Sequence, residues 1–159
     1  MVSKLIQTES FIAQRFWKTI FRYKVPSRIH RAACLGNVEK VNHILAYGED
    51  VDKRDKKNGT PLHYARAYEH SEVVALLIKK QCNIEISDKN YKTLLIKAVE
   101  HQHDECVEIL LNNGANPNVQ DIDGYSPLHC AVFCQITAMA ENLLSHNANM
   151  ELQNKVHIF

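Results

Sequence analysis

The sequence predicts an all-α fold: a solenoid of four 33-residue helix–turn–helix units with turn or β-hairpin tips, preceded by an amphipathic helix. Two observations predict it. A fixed step of 33 residues links His30, His63, Ile96 and His129, and also Ala32, Ala65, Ala98 and Ala131; self-similarity at such a step marks a repeat architecture. Within each unit the apolar residues fall at helical spacing, in segments of eight to ten residues. Helices that short are marginal alone, so each pair has to bury its face on its neighbours.

Residues 1–25 form a basic N-terminal segment. Ile12, Phe16 and Ile20 stand at steps of four, flanked by Phe11, Trp17, Phe21 and Tyr23 and interspersed with Arg15, Lys18, Arg22 and Lys24. This is an aromatic-rich amphipathic helix over 10–25, stopped by Pro26. A cap over the first repeat, with Trp17 shielded, is its first reading. The alternatives are a membrane-surface or calmodulin-type segment and a mitochondrial presequence, for which Ser and Arg are too few.

Residues 26–152 hold the four repeats, at about 22–54, 55–87, 88–120 and 121–153. Val41, Val74 and Val107 repeat the step, with Ala140 in the fourth slot, as do the pairs Ile44-Leu45, Leu77-Ile78, Leu110-Leu111 and Leu143-Leu144. Asp55, Asp88, Asp121 and then Asn154 continue the register. In the second unit Thr60 is placed to cap a helix, worth about 1 kcal/mol, and Pro61 takes the first helical position, where its missing N–H costs nothing. Leu62, Ala65, Val73, Val74, Leu77 and Ile78 make the apolar face. Asn58, Gly114 and Gly124 suit left-handed turn positions. The first unit reads Ser27-Arg28-Ile29-His30, with Pro26 one place early. The third reads Thr93-Leu94-Leu95-Ile96, so a Thr-to-His hydrogen bond expected in the other units is lost there. Residues 153–159 begin a truncated fifth repeat. The last helix pair is left without a polar capping unit, so either residues 152–159 fold back over it or the chain self-associates there.

The stretch Thr60-Pro61-Leu62-His63-Tyr64-Ala65 resembles the signature of ankyrin repeats. Ser126-Pro127-Leu128-His129-Cys130-Ala131 repeats it, and Leu110-Leu111-Asn112-Asn113-Gly114-Ala115 resembles the end of the family's second helix and the loop after it. The resemblance covers about residues 22–159 and implies an ankyrin-repeat solenoid. More narrowly, RDKKNGTPLHYA and KTLLIKAVEHQHDECVEILL are similar to the ankyrin block of mammalian POTE-type proteins, several of them testis-expressed. Many members of that group continue into further repeats and a coiled coil, so the likeness implies a short member, an isoform or a fragment.

Composition bounds the function. At 159 residues, 45% hydrophobic and 23% charged, this is globular material. A net charge of +1 lacks the global field of a nonspecific nucleic-acid binder. The total hides an asymmetry: residues 1–31 hold seven basic residues against Glu9, net +6, and residues 32–159 hold twelve basic and seventeen acidic, net −5. Five cysteines, Cys34, Cys82, Cys106, Cys130 and Cys134, with no apolar secretory signal predict free thiols in a cytoplasmic or nuclear chain. No stretch of eighteen apolar residues suggests a membrane span.

No chemistry-bearing motif is legible. The sequence holds no G-x-S-x-G, H-E-x-x-H, phosphate-binding or dinucleotide-binding glycine pattern, so neither a catalytic residue nor a cofactor is expected. His101-Gln102-His103-Asp104-Glu105-Cys106 has ligand chemistry, but His103 falls at a bend, Cys106 on an apolar face, and His101 at a helix end pointing elsewhere; no metal site is expected. Cys130 and Cys134 lack a second pair at zinc spacing. His63 and His129 are structural by register. Lys53-Arg54-Asp55-Lys56-Lys57 reads as a solvated turn before a nuclear signal.

What remains is a binding surface. In stacks resembling ankyrin repeats, the turn tips and first helices form a concave groove. Carried over by position, that groove contains Lys56, Lys57, Ala67 and Tyr68, then Lys89, Asn90, Lys92, Glu100 and His101, then Ile122, Asp123, Tyr125, Phe133 and Cys134. Lysines crowd its second and third turns, and Ile122, Tyr125 and Phe133 supply anchors of the kind that carry binding energy. The expected partner is a protein offering an acidic and then an apolar stretch, and no specific nucleic acid. The alternative function is a peripheral membrane protein docking through residues 10–25 at the inner membrane surface. The family resemblance also implies Asn118 as a hydroxylation position.

Overall fold

The computed structural model describes residues 27–155. Eight helices follow one another there, two per 33-residue step: α1 (Arg28–Cys34), α2 (Val38–Ala46), α3 (Pro61–Ala67), α4 (Ser71–Lys79), α5 (Leu94–Glu100), α6 (Asp104–Asn112), α7 (Pro127–Phe133) and α8 (Thr137–Ser145). The basic amphipathic segment expected over 10–25, Trp17 included, lies outside the described residues. First helices have seven residues and second helices nine.

Their ends are set by backbone that turns left-handed at fixed places. After each first helix the chain takes positive φ at Gly36, Glu69, Gln102 and Gln135, and after each second helix at Gly48, Gln81, Gly114 and Asn147. The reversal lets an amide beyond the helix close back on its last turn. Asn37, His70, His103 and Ile136 donate to the carbonyls of Ala32, Ala65, Ala98 and Ala131 at 2.9–3.0 Å. Cys82, Ala115 and Ala148 do the same to Leu77, Leu110 and Leu143 at 3.0–3.2 Å. A third left-handed series, Asn58, Tyr91 and Gly124, makes the tips. Each tip is tied by the recurring aspartate: Asp55 accepts from the Lys57 and Gly59 amides, Asp88 from Asn90 and Lys92, and Asp121 from Asp123 and Tyr125. The tips are turns more than strands; Ser87 and Thr93 form an isolated antiparallel bridge.

Each first helix packs on the next first helix and each second helix on the next second helix. One continuous hydrophobic core results. Ile44, Leu77, Leu110 and Leu143 are buried in it at equivalent places, as are Ala32, Ala65, Ala98 and Ala131. The loops after the second helices form a second ladder. Asp52, Glu85 and Asn118 accept from the amides of Asn83, Asn116 and Asn149, each in the following unit.

Beyond α8 the chain does not fold back over the helices as far as Lys155. Asn154 is buried, the Lys155 amide donates to the Asp123 carbonyl at 3.0 Å, and the Gln120 side chain donates to the Gln153 carbonyl at 2.9 Å. The reason is the register: Asn154 stands where the tip aspartates stand, so residues 151–155 stack as a fifth turn on the fourth.

Candidate functional site

The tips and first helices of the second and third repeats line an open cavity of about 570 Å³. Four cations, Lys57, Arg66, Lys89 and Lys97, line it against one carboxylate, Asp88. Lys97 is tied to Asp88 at 2.8 Å, and burial of that carboxyl, which alone would raise its pKa, is outweighed by the Lys97 hydrogen bond and the Asn90 and Lys92 amides. Lys57 and Lys89 are exposed at the tips.

The cavity exists because the stack opens at this boundary on its groove side. Neighbouring tips are joined elsewhere by an amide-to-carbonyl bond, Ile122 to Asn90 at 2.9 Å and Lys155 to Asp123 at 3.0 Å; the equivalent bond from Lys89 to Lys57 is not made. Helices α3 and α5 also pack less closely than α1 on α3 or α5 on α7. Arg66 explains the looser packing. Its register equivalents are Ala33 and Val99, both fully buried, and Val132. A guanidinium in an apolar slot holds the neighbours apart. It is 9% exposed and donates from Nη1 to the Lys97 carbonyl at 3.2 Å, with His101 Nδ1 at 3.3 Å. Its Nε is buried without a hydrogen-bond partner. Burial lowers its pKa, which nearby Cys106 and Glu100 partly offset.

His63 faces the same opening. In the first unit His30 takes Ser27 Oγ on Nδ1 and donates from Nε2 to the Lys53 and Gly59 carbonyls at 2.8 and 3.0 Å, bridging to the next tip. In the second unit Nδ1 of His63 accepts from the Thr60 amide at 3.2 Å and lies 2.9 Å from its hydroxyl. That places the ring proton on Nε2, which bonds no group of the protein. Burial, and then the charges of Lys97, Arg66 and Arg54, push its pKa down to about 4, so the ring is a neutral N–H donor at pH 7.

The other expected groove residues divide. Lys56, Asn90, Asp123, Ile122, Cys134 and Phe133 are exposed, Phe133 at 83%. Tyr68 caps the end of α3 and is exposed at 38%. Lys92, in contrast, is half-buried and ion-paired with Glu100, whose hydrogen bond raises its pKa. These two candidates neutralise each other. Tyr125 is half-buried, edge-on to His129 at 6.0 Å and packed on the core, which makes it a weaker anchor than its neighbours. Asn118 is occupied in the loop ladder, accepting from the Asn149 amide at 2.7 Å and donating to the Asn147 carbonyl at 3.2 Å.

At the bend side of the same boundary, His103 Nε2 meets Glu69 at 2.7 Å and Cys106 is buried. His101 does not point elsewhere: its ring centroid is 5.9 Å from that of His103, with its Nδ1 donating to the Lys97 carbonyl at 2.8 Å. Among the described residues no group of three or more His, Cys, Asp or Glu could hold a metal ion. Cys34, Cys82, Cys106 and Cys130 are buried free thiols and Cys134 is exposed. Burial pushes the first four up to about 11 or 12. Among the described residues no helix is long and apolar enough to cross a membrane.

Sequence reasoning missed Arg66, Lys97 and the His63 donor. The signal for Arg66 was present, since it breaks the apolar register of Ala33 and Val99. Nothing in the sequence signalled the lost tip-to-tip bond.

A stack built from this one repeated unit defines the class, and comparison with known proteins agrees. Residues 29–121 match the family described as ankyrin repeats in three copies, and residues 123–155 match a further ankyrin repeat. The chain belongs to the ankyrin-repeat family, whose repeats are in general protein–protein interaction modules. It is similar to ankyrin repeat domain-containing protein 7 of Homo sapiens, with 44% identity over 62 residues, 38% of this chain and 24% of that protein. The match thus spans about a quarter of the relative's length.

Proposed function

We propose that this chain is a noncatalytic adaptor or scaffold that holds a protein partner in the groove of its turn tips and first helices. The observation that carries the reading is the cationic cavity of about 570 Å³ at the second and third tips, with the exposed Ile122 and Phe133 further along the same side. Charge at one end and apolar surface at the other suit a partner with an acidic stretch followed by an apolar one. The likeness to POTE-type proteins points to testis as the tissue and to the cytoplasm or nucleus as the compartment. On this reading Asn118 is open to a hydroxylase when its loop separates from the next one.

The test is affinity capture from testis lysate with the full chain, beside a Lys57→Glu/Lys89→Glu variant and a Phe133→Ala variant. A partner held by the parent chain and lost with either variant supports the groove. A partner held equally by all three overturns it. Sedimentation with anionic liposomes, with and without residues 1–25, tests the membrane-docking alternative on the same material.

A further inference from the structure

We infer that the opening between the second and third repeats is a receptor for a carboxylate side chain of a protein partner, held by the His63 Nε2–H with the Lys57 and Lys89 ammoniums beside it. The inference deepens the groove reading and rests on it.

Three observations converge on one place. First, the His63 N–H has no acceptor within the protein, whereas the same atom of His30 bonds two carbonyls of the following tip. Nε2 is not among the buried atoms that lack a partner, so it meets solvent in the opening, and an arriving oxygen takes the place of water on an N–H that Thr60 has already oriented. Second, the cavity carries four cations against one carboxylate, and that carboxylate is spent on Lys97. The surplus positive charge favours an anion over a neutral carbonyl. Third, the opening is built into the stack. The tip-to-tip bond is missing here alone among the three tips and Lys155, and Arg66 occupies the slot where its equivalents are apolar.

The chemistry favours a carboxylate over a phosphate. Phosphate is best gripped by a guanidinium fork, but Arg66 is buried, with Nη1 turned to the Lys97 carbonyl. One neutral N–H and two flexible ammoniums suit a single Asp or Glu oxygen. A peptide fits better than a free acid, because the cavity lies open along the groove and the exposed Tyr68 flanks it.

The probe is a hexaglutamate peptide, with hexaglutamine as its neutral counterpart, added to the full chain and followed by calorimetry and by the ¹H–¹⁵N signals of the His63 ring. Binding of hexaglutamate alone is expected, with a saturable shift at His63 Nε2–H and an affinity that falls with salt. His63→Ile removes the donor, and the third repeat already carries Ile96 at that register, fully buried. It is expected to weaken binding about tenfold. Lys57→Ala/Lys89→Ala changes only exposed tip residues and is expected to weaken it as well, with the helical circular dichroism unchanged. Equal affinity in His63→Ile, equal binding of the two peptides, or binding of a phosphoserine peptide but not hexaglutamate overturns the assignment. If Phe133→Ala loses the captured partner while hexaglutamate fails to bind, the receptor falls and the groove stands. If hexaglutamate binds at His63 while the groove variants keep the partner, the receptor stands and the groove reading falls.

Discussion

Two side chains at the second–third boundary set stability against binding. Arg66 buries a cation with one nitrogen unpaired, where the first and third repeats bury Ala33 and Val99. Replacing a buried charge by an apolar group of fitting size is often stabilising, while stranding a charge is costly. Arg66→Val is therefore expected to raise unfolding free energy by about 1 kcal/mol in urea titration, and to weaken capture of an acidic partner. His63 gives a pH signature. Its folded pKa, about 4, lies below the ordinary value near 6.5. Above that ordinary value both states are neutral and nothing is gained or lost. As pH falls from about 6.5 to about 4, the unfolded chain takes a proton that the folded ring refuses, so stability drops through this window. The drop is about 2 kcal/mol once partial solvent screening is allowed for. Asp55 and Asp88, whose pKa values are lowered, act below their ordinary range near 3.8, at the acid edge of the window. His63→Ile should flatten the urea midpoint between pH 6.5 and 4.5 relative to the parent chain; an unchanged slope there would count against a neutral buried ring.

At the scale of the element, helix length is decided by the left-handed positions. The sequence made part of this legible: Asn58, Gly114 and Gly124 are residues that suit such backbone, and all three adopt it. Glu69, Gln81, Tyr91, Gln102 and Gln135 adopt it too. They were not legible, because long side chains carry no local preference for that region and only the register forces them into it. The two glycines make a comparison. At Gly114, φ is +86° and an added Cβ meets nothing within 4 Å, so Gly114→Ala is expected to cost only backbone strain, about 1 kcal/mol. At Gly124, φ is +84° and the same Cβ comes within 2.9 Å of Asn154 Cα, a backbone atom that cannot swing away. Gly124→Ala is expected to cost clearly more, about 2–3 kcal/mol, and to loosen residues 151–155. Equal urea midpoints for the two variants would mean that the fifth turn does not stack on the fourth tip.

At the scale of the whole molecule, the period of 33 residues made the fold legible almost completely, since it fixes which helix follows which and which faces must meet. It could not show where the stack is weak, because a register counts positions and says nothing about how well each boundary closes. The first and second repeats are tied by His30 and by the Asp52 acceptor. The third and fourth are tied by the Ile122–Asn90 bond and by Asn118. The second and third keep the loop bond from Asn116 to Glu85, the His103–Glu69 pair and the Arg66 bond to the Lys97 carbonyl, but lack the tip-to-tip bond and the histidine bridge. In a repeat array, stability is close to a sum of unit terms and boundary terms, so the poorest boundary is where the array comes apart. Native-state hydrogen exchange at rising urea is expected to resolve two cooperative blocks, α1–α4 and α5–α8, whose opening free energies differ by about 1 kcal/mol or more. Arg66→Val, by letting α3 close on α5, should bring the two together. A single block in the parent chain would show that the remaining bend-side and loop-side ties suffice to transmit cooperativity across the opening.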